Sequence, residues 1–167
     1  MNSLIEKHAV KRILLKSLVF TIALLSNTSA GASDLDTVLA EKQAPPGIVF
    51  EIVSDDPGLL GELLPSVNTD IKKLRNRFPG LPIAIVTHGL EQFDLSSKNS
   101  SKEKKTHDLV QELVTANEVD VHVCGTHASW YGVMPEDFPD YVDVSPAGPA
   151  QINDYEALGY EIIILTE

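Results

Sequence analysis

The chain has 167 residues, with 24 acidic against 13 Lys and Arg side chains and a formal net charge of -11. That balance argues against nucleic acid and anionic lipid head groups as partners, since both are bound chiefly by Lys and Arg on phosphate. Apolar residues make up 43% of the chain, which suits a globular domain with an ordinary core.

Residues 1–32 read as a signal peptide. Lys7, Lys11, Arg12 and Lys16 form a basic start, residues 18–25 are apolar, and Ala30-Gly31-Ala32 supplies a cleavage pattern. Cleavage after Ala32, and a periplasmic or otherwise exported protein, are expected. The apolar stretch is about half the roughly 20 residues that a helix needs to cross a bilayer, so no membrane association is expected after cleavage. Without residues 1–32 the charge becomes about -14, and about 135 residues remain, enough for one domain.

Residues 33–46 read as a polar leader closed by Pro45-Pro46, and the domain is expected over residues 47–167. Residues 48–53 are a β-branched run of strand length, followed by turn chemistry in Ser54-Asp55-Asp56-Pro57-Gly58. Val67, Ile71, Leu74 and Phe78 recur at helical spacing, which predicts a helix over 65–78 with Pro65 in its first turn. Phe78-Pro79-Gly80 ends it. A second strand over 83–86 leads to Thr87-His88-Gly89. Residues 94–105, rich in Ser and Lys, predict a solvated polar loop, and the next helix carries Leu109, Val110, Leu113 and Val114 on one face. Strand three is expected over 119–123, strand four over 141–144, a helix over 149–158 closed by Gly159, and strand five over 162–165.

Alternating strands and helices require crossovers, so the sequence predicts a three-layer α/β/α sandwich around a mostly parallel five-stranded sheet. In such sheets the chemistry lies beyond the carboxyl ends of the strands. Three segments qualify: Ser54 to Gly58, Thr87 to Gly89, and Cys124 to Trp130. The third carries the most specific signal. Alternation puts Asp120, His122 and Cys124 on one face and Val119, Val121 and Val123 on the other. Cys124 ends the strand, Gly125 permits a tight turn, and a following helix would aim N–H groups at the sulfur while His127 adds positive charge. These features predict an accessible, reactive thiol. A lone cysteine is alternatively an inert buried residue or an intermolecular disulfide partner. His122 reads as a hydrogen-bonded strand histidine.

The segment ending in Cys124-Gly125, then Gly132-Val133, Pro135-Glu136-Asp137, VSPAGPAQINDYEAL and Gly159-Tyr160 before an apolar strand, resembles the DsrE/DsrF-like family over residues 47–165. The resemblance implies a flavodoxin-like fold, assembly into a trimer or hexamer, and a cysteine at the end of strand three that relays sulfane sulfur between donor and acceptor proteins. On that reading Cys124, His127 and His88 are the candidate catalytic residues, and Gly125, Thr126, Gly89 and Ser54 shape the pocket. The chain departs from the family in its signal peptide and in the polar, bulky loop Thr126-His127-Ala128-Ser129-Trp130. Trp130, Tyr131, Val133, Met134 and Phe138 are candidates for a self-association surface, or for a cap on the domain's own core.

His122-x-Cys124-x-x-His127 holds nitrogen and sulfur donors but falls short of four convergent ligands, so no metal is expected. Neither G-x-G-x-x-G nor G-K-[ST] is present, and no cofactor is implied. Two functions follow from these readings: an exported sulfur-handling protein working through Cys124, or a non-catalytic oligomeric binding module with an incidental cysteine.

Overall fold

The computed structural model describes residues 34–166; the expected signal peptide and its cleavage site lie outside them. The described elements run α1 (Leu35–Ala40), β1 (Ile48–Ile52), α2 (Leu59–Arg77), β2 (Ile83–Thr87), α3 (Lys104–Thr115), β3 (Val119–Cys124), α4 (Gly125–Trp130), β4 (Asp143–Ser145), α5 (Gly148–Ala157) and β5 (Glu161–Leu165), with short 3-10 turns at Leu90–Leu95, Ser97–Asn99 and Pro135–Asp137. The five strands form one all-parallel sheet in the order β4-β3-β2-β1-β5, the α/β architecture expected from the sequence.

Handedness explains which helices cover which face. Three successive crossovers, from β1 to β2, β3 and β4, move across the sheet in one direction, and right-handed connections put all of them on one side. The chain then turns back past β1 to reach β5, which places α5 on the opposite side. The buried residues divide in the same way. Val121 and Val123 join the large core with residues of α1, α2, α3 and α4. Val49, Ala84 and Val86 pack instead on Ile152 and Tyr155 of α5.

Helix α2 buries Leu60, Leu64, Val67, Ile71 and Leu74, a stripe at three- and four-residue spacing. Each such side chain contributes about 1.5–3 kcal/mol on full burial. The helix starts at Leu59, six residues before the expected first-turn Pro65, which lies inside it. Its apolar stripe outweighs the backbone hydrogen bond that Pro65 cannot donate to the Gly61 carbonyl. At the far end Phe78 caps the helix and Gly80 turns the chain at φ 78°.

The region expected as a solvated loop over 94–105 is ordered at its start. Asp94, Leu95 and Ser96 are buried, and the Ser96 hydroxyl and Asn99 amide both donate to the Phe93 carbonyl. Local side-chain bonds of this type give Ser and Asn a compact alternative to helix or strand. Strand β4 begins two residues later than expected, because Tyr141 turns away to hydrogen-bond His107 and Val142 enters the core. Within residues 33–46, α1 is capped by the Asp34 carboxylate, which accepts the Thr37 N–H at 2.8 Å, and Val38 is fully buried. Among the described residues no helix is long and apolar enough to cross a membrane.

Candidate functional site

The connection after β3 runs on the α2/α3 side and the connection after β4 on the α5 side, so a crevice is expected where the carboxyl ends of these neighbouring strands diverge. Cys124 ends β3 at this switch point, opposite Ser145 of β4. A Cβ on Gly125 would meet the Ser145 carbonyl oxygen at 3.1 Å and a Val144 methyl at 3.2 Å. Gly125 therefore lets the chain turn tightly against β4. Thr126 fastens the turn, its N–H and hydroxyl both donating to the Pro146 carbonyl, at 3.0 and 2.6 Å.

Cys124 is the N-cap of α4, and its Sγ accepts the His127 N–H at 3.4 Å. The thiol is 4% exposed, which corrects the expectation of an accessible cysteine. The turn at Gly125 does not open the site. The first residues of α5 fold back over it, and a Cβ on Gly148 would fall 3.4 Å from Cys124 Cβ and 2.6 Å from His88 Cβ. His88 thus stands beside Cys124, as the β2–β3 register also requires, since Thr87 pairs with Val123 just before them. The His88 Nε2 is 2.9 Å from Glu51 Oε1.

Gln92 was not singled out in the sequence, yet it joins the parts of the site. Fully buried in the 3-10 turn, its Oε1 accepts the Cys124 N–H at 2.8 Å and its Nε2 lies 2.9 Å from His127 Nδ1. The first bond fixes the amide's orientation, so the NH2 group donates to Nδ1 and the His127 ring proton sits on Nε2. The His127 side chain is thus tied to Gln92, and of His127 it is the backbone N–H that meets the sulfur. The ring packs among Phe93, Trp130 and Tyr131.

Ser54 and Gly89 come together around Glu91 and form no open pocket wall. The Glu91 carboxylate is fully buried, accepts the Ser54 and Gly89 N–H groups at 2.8 Å each, and accepts the Thr87 hydroxyl. A Cβ on Gly89 would lie 2.3 Å from both the Ser54 carbonyl and this carboxylate, so only glycine fits. Glu91 ties the ends of β1 and β2 into a rigid floor beside the Gln92 bridge.

His122 is bonded at both ring nitrogens, to Tyr155 Oη at 2.8 Å and Ser145 Oγ at 3.2 Å. Burial pushes its pKa below the usual histidine range, against the opposing pull of Asp143 and Asp120. Burial likewise pushes the Tyr155 phenol far up. These contacts leave His122, Cys124 and His127 turned to separate partners. Among the described residues no three His, Cys, Asp or Glu side chains are grouped so as to hold a metal ion.

Of the suggested association residues, Val133 and Phe138 are buried in the core, while Trp130, Tyr131 and Met134 are 74%, 58% and 50% exposed. The latter three sit on or just after α4, where Trp130 and Tyr131 lie against the ring of His127.

The fold and site define a single-cysteine, all-parallel α/β domain with its thiol at the topological switch point. No family model matches the chain, and no curated protein matches it. Solved structures do. The chain is similar to a protein of unknown function, MTH1491 from Methanobacterium thermoautotrophicum, with a TM-score of 0.54 and 20% identity over 71% of this chain and 97% of that one. It is also similar to the ychN protein from E. coli, with a TM-score of 0.50 and 14% identity over 71% of this chain and 99% of the other. At these identities the likeness shows the fold, a parallel α/β sheet covered by helices.

Proposed function

We propose that this protein handles sulfane sulfur through Cys124. One observation carries the reading: the chain's single thiol stands at the β3/β4 switch point, capping α4 and lying beside His88. In the proposed step the Cys124 thiolate attacks the outer sulfur of a donor persulfide R–S–SH. The donor S–S bond breaks, R–S⁻ leaves and takes up the proton that the thiol gave, and Cys124 holds the sulfur as Cys–S–SH. An acceptor thiolate then repeats the exchange. No oxidant is consumed.

Export, with cleavage after Ala32, belongs to the same proposal, as does assembly into a trimer or hexamer through the exposed Trp130, Tyr131 and Met134. Burial of Cys124 also favours a second reading, a non-catalytic binding module in which the cysteine only packs. Incubation with cysteine persulfide separates the two. The relay requires one added sulfur on the folded wild type, none on Cys124→Ser, and loss of that sulfur to an added thiol. A folded wild type that stays unmodified supports the binding module.

A further inference from the structure

Glu51 is the acidic residue of β1, in the run IVFEI. By alternation it shares a sheet face with Val49, which packs on the α5 side, where another apolar side chain would be at home. Its carboxylate instead reaches His88 Nε2 at 2.9 Å, with both side chains mostly shielded from water. His88 in turn neighbours Cys124 across β2 and β3, the two flanking the same point above Gly148. Three adjacent strands therefore carry Glu51, His88 and Cys124 in a diagonal across one face.

We infer that Glu51 is a positioning residue, holding His88 in the tautomer and orientation in which the ring takes the Cys124 thiol proton. A neutral imidazole has one donor and one acceptor nitrogen. With Nε2–H given to the carboxylate, Nδ1 is the acceptor. The thiol S–H bond breaks, its proton passes to Nδ1, and the freed electron pair forms the new S–S bond to the donor's outer sulfur. The proton on His88 then goes to the departing R–S⁻, which leaves as R–SH. The pattern is the nucleophile, base and orienting acid known from other covalent catalysts, assembled here on strand ends. The inference rests on Cys124 as the working group proposed above.

Two measurements test it. Nitrogen-15 NMR of the His88 ring is expected to find the Nε2–H tautomer in the wild type and its loss in Glu51→Ala. Alkylation of the folded protein by iodoacetamide at pH 7 is expected to slow by roughly tenfold in Glu51→Ala and by about 100-fold in His88→Gln, the lower range for a positioned base. Adding Glu51→Ala to His88→Gln is expected to slow it no further, because the carboxylate acts only through the ring. An unchanged tautomer in Glu51→Ala overturns the inference, as does equal slowing in both backgrounds, which would mean that the carboxylate acts on the thiol without the ring. Alkylation that depends on His88 and Glu51 in a protein that takes no sulfur from cysteine persulfide sustains the inference and refutes the sulfur function. Sulfur loading indifferent to both variants does the reverse.

Discussion

Asp94 makes the stability of this domain depend on pH in an unusual direction. It lies near the end of the 3-10 turn that carries Gln92, 3% exposed, with its Oδ2 lacking any hydrogen-bond partner among the described residues. Burial, aided by the nearby Glu103, pushes its carboxyl up to about 7, while Lys102 and the Gly61 N–H pull the other way. In the unfolded chain the same group titrates near 3.9. Below about pH 4 both states are protonated and burial of the group costs little. As pH rises from about 4 to about 7 the unfolded chain releases the proton and the native chain keeps it, so native stability falls; above that range the full cost is present. A shift of about three units corresponds to at most about 4 kcal/mol, of which roughly 2 to 3 kcal/mol falls between pH 5 and pH 8. Asp94→Asn keeps the shape, and its carbonyl still accepts from Gly61, but it carries no charge. Urea denaturation of both proteins across that range is expected to find the wild type losing roughly 2 to 3 kcal/mol relative to the variant as pH rises. Parallel curves would refute the reasoning.

Two further expectations concern the frame around the thiol. Gln92→Leu leaves the buried Cys124 N–H without its acceptor and is expected to cost about 1–3 kcal/mol, read from the urea midpoint at constant slope. Gly148→Ala sets a methyl 2.6 Å from His88 Cβ and is expected to destabilise by about 1–3 kcal/mol and to shift the His88 ring resonances. Gly125→Ala, whose methyl would meet its nearest atom at 3.1 Å, is expected to cost less by the same denaturation assay.

The strands were legible because burial on both sheet faces leaves nearly continuous apolar runs, as in Ile83-Ala84-Ile85-Val86. Helix α2 was found through Val67, Ile71 and Leu74, but its true start was hidden by Pro65, whose preference for a first turn is only statistical. The site was half visible. Cys124 and His88 announced themselves as reactive residue types at strand ends, and the register brings them together. Their partners did not: Glu91 and Gln92 carry no signal in the sequence, since nothing local says that two adjacent polar side chains are both fully buried. Glu51 left a usable trace. A carboxylate on the face shared with Val49 in an otherwise apolar strand needs a partner, and the nearest strand-end histidine, His88, is that partner.

The central claim is that Cys124 carries sulfur in the living protein. Intact mass spectrometry of the protein purified from its native compartment, under conditions that preserve persulfides, tests it most directly. A fraction of the mature chain heavier by one sulfur atom, with the increment mapped to Cys124 and removed by a thiol reductant, is the expected result. A thiol that is uniformly unmodified in the native protein, and that accepts sulfur only after unfolding, would contradict it.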